Sequence, residues 1–140
     1  MNNLQDSPLV SVIIPNYNYA KYLHERLSSV LEQTYQNMEI ILLDDASSDN
    51  SVSVMEECRS ADLRIREIIR NEKNSGSPFR QWKKGLDMAK GEYIWIAEAD
   101  DLADSKFIES TLELLEKYPS ASMAFTGSVI IDKNGKETDA

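Results

Sequence analysis

The residues with chemistry to offer in this 140-residue chain are carboxylates that follow apolar runs. Asp44 and Asp45 end the run Met38-Glu39-Ile40-Ile41-Leu42-Leu43, and Glu98, Asp100 and Asp101 follow Tyr93-Ile94-Trp95-Ile96-Ala97. Like charges held close together repel and raise one another's pKa, and a divalent cation keeps them ionised. Oxygen-only ligands select Mg2+ or Mn2+, and no Cys/His cluster argues for zinc. A lone Asp after a strand is commonly a helix cap or a loop residue. Spacing alone therefore leaves a metal site and a set of solvated acidic loops both open.

Other chemistries find little support. No G-x-G-x-x-G follows the first apolar run, and no G-x-x-x-x-G-K-[ST] occurs, so a bound nucleotide's phosphates would be neutralised by a metal instead of a backbone cradle. Arg80 follows the loop Asn74-Ser75-Gly76-Ser77-Pro78, at an expected helix start where anions are favoured. A solvated surface arginine is an equal reading there. Tyr17 and Tyr19 offer rings to a base, or pack beside a strand end. Trp82 and Trp95 read as core, and His24 as a surface helix residue. Without a second histidine or a G-x-S-x-G elbow, serine-hydrolase chemistry is unsupported. Cys58 lies near a helix C-terminus, the wrong end of the dipole for a reactive thiolate.

Composition narrows the partners. Lys+Arg number 15 against 24 Asp+Glu, a net charge of −9. That disfavours nucleic acid and anionic membrane surfaces, both of which need a basic face. With 41% hydrophobic and 28% charged residues the chain can bury a core. No apolar run approaches ~20 residues, so no segment is expected to span a bilayer. Residues 1–8 are polar and lack an apolar signal-peptide core, and are expected to be a flexible N-terminus. A single cysteine rules out a disulfide framework and points to a reduced, cytoplasmic setting.

The elements that must position these residues alternate. Leu9 to Pro15 reads as a strand buried on both faces, and Ala20 to Gln33 carries apolar residues at helical spacing. Met38 to Leu43 is a second strand, Val52 to about Arg59 a helix, and Leu63 to Ile69 a half-exposed strand. Pro78 to about Lys90 reads as a helix closed by Gly91, followed by a buried strand over Tyr93 to Ala97. A helix from Ser105 to Lys117 precedes a fifth strand, Ser122 to Thr126. Val129-Ile130-Ile131 then enters a turn over Asp132 to Lys136. This pattern predicts an α/β domain with a Rossmann-like, mostly parallel sheet and helices on both faces. Ligands in such sheets bind at the carboxyl ends of the strands, where all the carboxylates above converge. The chain stops just after the turn, which suggests a cut inside a larger catalytic domain.

Several of these stretches resemble the family 2 glycosyltransferases. They are Val10-Ser11-Val12-Ile13-Ile14-Pro15-Asn16-Tyr17-Asn18, then Leu31-Glu32-Gln33-Thr34-Tyr35, then Glu39 to Asp49, and finally Lys90-Gly91-Glu92-Tyr93-Ile94 leading into Glu98-Ala99-Asp100-Asp101. The resemblance covers Leu9 to about Gly127. It implies the GT-A nucleotide-diphospho-sugar transferase fold, with residues 9–140 as the nucleotide-sugar-binding part. It also implies inverting transfer of a sugar from an activated, usually UDP-linked, donor to a glycan or lipid-linked acceptor. In that pattern Pro15 and Tyr17 line the base and ribose. Asp45, with Asp44 beside it, matches the carboxylate that binds the uracil edge. Arg80 matches a basic position near the diphosphate. Glu98-Ala99-Asp100 matches the D-x-D motif, with Asp100 or Asp101 on Mg2+ or Mn2+. The first position is Glu, one methylene longer than Asp, which implies a ribose or water-mediated contact for Glu98. The general base of the family lies beyond this chain. Asp132 and Asp139 are acidic and downstream but have no motif around them. Kinship further implies bacterial envelope-polysaccharide synthesis at the inner face of a membrane. The rival classes are a non-catalytic nucleotide-binding module of the same fold and a two-component receiver domain. A receiver's acidic pair should follow the first strand, where this chain has Pro-Asn-Tyr-Asn, and its lysine after the fifth strand is missing.

Overall fold

A computed structural model describes residues 7–138. Residues 1–6 of the expected N-terminal segment, and Asp139, lie outside the described residues. The elements run β1 (Val10–Asn16), α1 (Ala20–Leu31), β2 (Met38–Asp44), α2 (Ser51–Ala61), β3 (Ile65–Arg70), α3 (Pro78–Met88), β4 (Tyr93–Ile96) and α4 (Phe107–Lys117). The strands form one sheet in the order β3-β2-β1-β4, with parallel pairing throughout. The alternating α/β arrangement expected from the sequence is therefore present.

The continuous apolar runs of β1 and β2 are buried on both faces, as parallel strands under helices must be. One face packs Val12, Ile14, Ile40 and Leu42 against Leu23, Leu27 and Val30 of α1, Met55 of α2, and Ile108 and Leu112 of α4. The other face carries Ile13, Ile41 and Leu43, against which Met88 at the end of α3 packs. Each such aliphatic side chain contributes on the order of 2 kcal/mol by leaving water. Two glycines set how closely α3 and its following turn approach β1. A Cβ on Gly85 would stand 2.4 Å from Ile13 Cγ2, and one on Gly91 would stand 2.6 Å from the Ser11 backbone nitrogen.

At the amino ends of the strands, the Glu39 side chain is buried. It accepts from Ser11 Oγ at 2.6 Å and from the Lys90 amide at 2.7 Å, and pairs with Arg66 Nε at 2.6 Å. Buried charge needs such compensation, so this cluster locks β1, β2, β3 and the chain after α3 into register. It lies at the end of the sheet opposite the carboxyl-end rim.

The structure corrects several expectations. Helix α3 caps at Ala89, so Gly91 is not its C-terminal cap. Gly91 is needed instead because its amide reaches Ser11 Oγ at 2.8 Å, with no room for a side chain. β4 is not fully buried: it pairs only with β1, and Ile94 is exposed. The fifth strand is absent among the described residues. Met123, Phe125, Val129 and Ile130 are exposed, because an extended segment without a neighbouring strand has no ladder to join. The turn that follows does form: Gly135 adopts φ +78°, the Gly135 amide donates to the Asp132 carbonyl, and Ile131 bridges Glu137 antiparallel.

Candidate active site

In register, Asn16 lies opposite Asp44, so β1 and β2 end together. β4 ends opposite Ile13, three residues short of the end of β1. The chain therefore leaves the sheet early there, with the Ala97 amide donating to the Ile13 carbonyl, and Glu98 to Asp101 follow. From β1 the sheet grows in one direction to β2 and β3, and in the other to β4. That reversal puts a topological switch point at the carboxyl ends of β1 and β4, the usual ligand position in open α/β sheets.

The loop after β1 is stitched to the loop after β2. Asn16 Nδ2 donates to Asp44 Oδ1 and to Ser47 Oγ, both at 3.2 Å. Asp44 Oδ2 accepts from the Ser47 amide at 3.0 Å. Asn18, in the left-handed region at φ 59°, accepts from the amides of Ser48 and Asp49 and donates its own amide to Ser47 Oγ. Asp49 in turn accepts from the amides of Ala20 and Ser51. Burial works against the Asp49 carboxylate, but these bonds and the Ser51 hydroxyl prevail and hold its pKa below the ordinary value. Asp44 is wholly buried, and both its oxygens are engaged in this stitching. Pro15, near the end of β1, is buried, while Tyr17, just past it, stands 48% exposed.

Asp45 is 6% exposed and anchors a different segment. Its Oδ1 accepts from Asn71 Nδ2 at 2.7 Å, the Ser75 amide at 2.8 Å and Gln81 Nε2 at 2.9 Å. Among the described residues its Oδ2 accepts only from Ser75 Oγ, at 2.7 Å. A carboxylate oxygen has room for more than one donor, so Oδ2 keeps acceptor capacity. The Asn71–Gln81 segment is thus folded back over the end of β2. Arg80 is exposed, and its Nη1 donates to the Ser75 carbonyl at 2.9 Å. Sequence reasoning passed over Gln81 and Ser75; a polar residue on the buried face of α3 was the available signal.

The acidic residues after β4 behave differently. Asp100 and Asp101 are exposed on a turn in which the Asp101 amide donates to the Glu98 carbonyl. Glu98 is half-buried and its Oε1 accepts from Trp82 Nε1 at 2.8 Å. Its pKa is raised. Burial is the largest cause, the Trp82 bond opposes it, and the charges of Asp100 and Asp101 add to it. Trp82 therefore serves the rim and is not the core filler expected. It also meets Phe79 edge-on at 5.0 Å. Trp95 is half-buried, against Phe107.

The carboxylates do not form one cluster. Asp44 and Asp45 lie two strands from Glu98, about 10 Å at ordinary strand spacing. No group of three His, Cys, Asp or Glu side chains fit to hold a metal occurs among the described residues. Asp100 and Asp101 alone offer an incomplete, oxygen-only donor set. That set fits a hard divalent ion that takes one or two carboxylates and completes its shell with phosphate oxygens and water. Sequence reading also missed Arg26 of α1, which is buried close to these carboxylates.

This sheet order and rim define the class: the fold is that of GT-A glycosyltransferases. S. aureus TarS 1-349 in complex with UDP superposes with a TM-score of 0.71 at 26% identity, covering 79% of this chain and 32% of that one. The mannosyltransferase PcManGT from Pyrobaculum calidifontis, in complex with GDP-Man and Mn2+, gives 0.69 at 26% identity, over 82% and 33% of the two chains. The family model for glycosyl transferase family 2 matches residues 11–139, and the chain belongs to that family. Glycosyltransferase GlyG of Streptococcus pneumoniae is 40% identical over 79% of this chain and 36% of its own length. The putative teichuronic acid biosynthesis glycosyltransferase TuaG of Bacillus subtilis is 33% identical over 94% of this chain and 51% of its own. The chain thus spans about a third to a half of these relatives. Family membership removes the receiver-domain alternative. Among the described residues no helix is long and apolar enough to cross a membrane.

Proposed function

We propose that residues 9–140 are the donor-binding part of an inverting glycosyltransferase. It would take a nucleotide-diphospho-sugar, UDP-linked in the first instance, and pass the sugar to a glycan or lipid-linked acceptor in envelope-polysaccharide synthesis at the cytoplasmic face of the membrane. The observation that carries this reading is the placement of Asp45 and the Glu98–Asp101 turn on opposite sides of β1, at the sheet's switch point. The spacing of about 10 Å suits a nucleoside at one end and its diphosphate at the other.

The residues divide the work. Pro15 floors the base side, Tyr17 offers an exposed ring to it, and Asp45 Oδ2 accepts from the base edge. Asp44 serves by holding the two loops together. Arg80, close to the same segment, turns to the diphosphate when its bond to Ser75 is exchanged. Glu98, oriented by Trp82, faces the ribose. Asp100 and Asp101 would hold Mg2+ or Mn2+. When bound, that ion supplies positive charge for the leaving nucleoside diphosphate. The general base belongs to a part of the enzyme outside these residues.

Calorimetric titration of UDP into the protein with Mn2+, and again with EDTA, tests the reading. Metal-dependent heat is expected, and Asp45→Asn should weaken binding by about tenfold or more, since an amide returns a donor where an acceptor is needed. UDP binding that is absent, or indifferent to both EDTA and Asp45→Asn, would overturn it.

A further inference from the structure

Arg26 occupies a position in the apolar stripe of α1, between Leu23 and Val30, and is 3% exposed. Its Nε and Nη1 are buried without a hydrogen-bond partner. It forms no ion pair among the described residues. The guanidinium sits over the Trp95 ring, 5.1 Å from its centroid. With Asp101, Trp95, Phe107 and Lys106 it lines a cavity of about 780 Å³. Burial lowers its pKa to about 10, and the charges that resist, in order, are Asp101, Glu98 and Asp100. The group is therefore still a cation at neutral pH. A buried cation with unpaired N–H groups is costly. Its compensation comes from an aromatic face and from the field of the rim carboxylates.

We propose that Arg26 is a built-in counter-cation of the acidic rim, fixed by Trp95 behind β4, which lowers the rim's affinity for a bare divalent ion and favours the diphosphate that arrives with one. This inference rests on the metal-dependent donor reading above. A unit positive charge near a dication repels it, and the same charge attracts a diphosphate. Removing the charge must then move the two affinities in opposite directions. A residue that only packs α1 against β4 would weaken both together when replaced.

The test measures Mn2+ binding by the paramagnetic resonance signal of the free ion, and UDP binding by calorimetry in saturating Mn2+. In Arg26→Met, Mn2+ alone should bind roughly tenfold tighter and UDP severalfold weaker, while Arg26→Lys stays near wild type on both. Should Arg26→Met fail to fold, Arg26→Gln makes the same comparison. Unchanged or weakened Mn2+ binding in the neutral variant overturns the proposal and leaves the donor reading standing. A wild-type protein that binds neither Mn2+ nor UDP with Mn2+ overturns both.

Discussion

Asp45 and Glu98 both sit at the rim, and their neighbours give them opposite tasks. Asp45 is buried and ringed by donors, which tie the Asn71–Gln81 segment to the end of β2. Glu98 receives one indole N–H and otherwise faces burial and like charge, which raise its pKa. The sign of the consequence follows from linkage. Between the ordinary glutamate pKa and the raised value, the folded state holds more protons than the unfolded one, so stability falls as pH rises through that window. Glu98→Gln mimics the protonated form and keeps an acceptor for Trp82. In urea unfolding it should be more stable than wild type at pH 7, with the gap closing below about pH 4. A gap that is constant with pH would show that Glu98 is unperturbed. That these carboxylates follow strand ends was legible in the sequence, because each follows an apolar run. Arg26 was missed: its place in the apolar stripe of α1 was the available signal, and its neighbours Trp95 and Asp101 lie about 70 residues further along.

At the scale of elements, α3 does the most positioning. It brings Gln81 to Asp45 and Trp82 to Glu98, and so bridges the two halves of the rim. Its approach to the sheet depends on Gly85, where a Cβ would meet Ile13 Cγ2 at 2.4 Å and Cδ1 at 3.1 Å. Gly85→Ala gains helix propensity of about 1 kcal/mol. Overpacking against a buried strand costs about 1–3 kcal/mol, and the shortness of this contact favours the upper end. A net loss in urea midpoint is expected, with coupling to Ile13→Ala of at least about 0.5 kcal/mol in a double-mutant cycle. Additive effects would mean that α3 is not held by this contact. The existence of the four helices and the half-exposure of β3 followed from periodicity, whereas helix ends did not: α3 stops at Met88, short of the expected Lys90. The fifth strand did not form, because β-branched and aromatic composition marks a segment that can pair, not one that has a partner.

For the whole molecule, the net charge is −9, and Asp44, Asp45, Glu98, Asp100 and Asp101 follow the carboxyl ends of β2 and β4, so the proposed cation and nucleotide would be linked to folding. A ligand that binds only the folded state stabilises it by about 2.7 kcal/mol at 100 times its Kd. Mn2+ with UDP should therefore raise the Tm of the chain by several degrees, and adenosine diphosphate with Mn2+ by less. Equal shifts with both nucleotides would remove the base preference assigned to the Asp45 side. The sequence by itself determined the alternating α/β order, the burial of β1 and β2, and the position of every rim carboxylate, because hydrophobic periodicity and strand-end placement are local properties of the chain. Only the tertiary structure decided which carboxylates are occupied and which are open. Donors such as Gln81, Trp82 and Ser75 reach the rim from segments distant in sequence, and whether a carboxylate staples loops or faces a ligand depends on what packs around it.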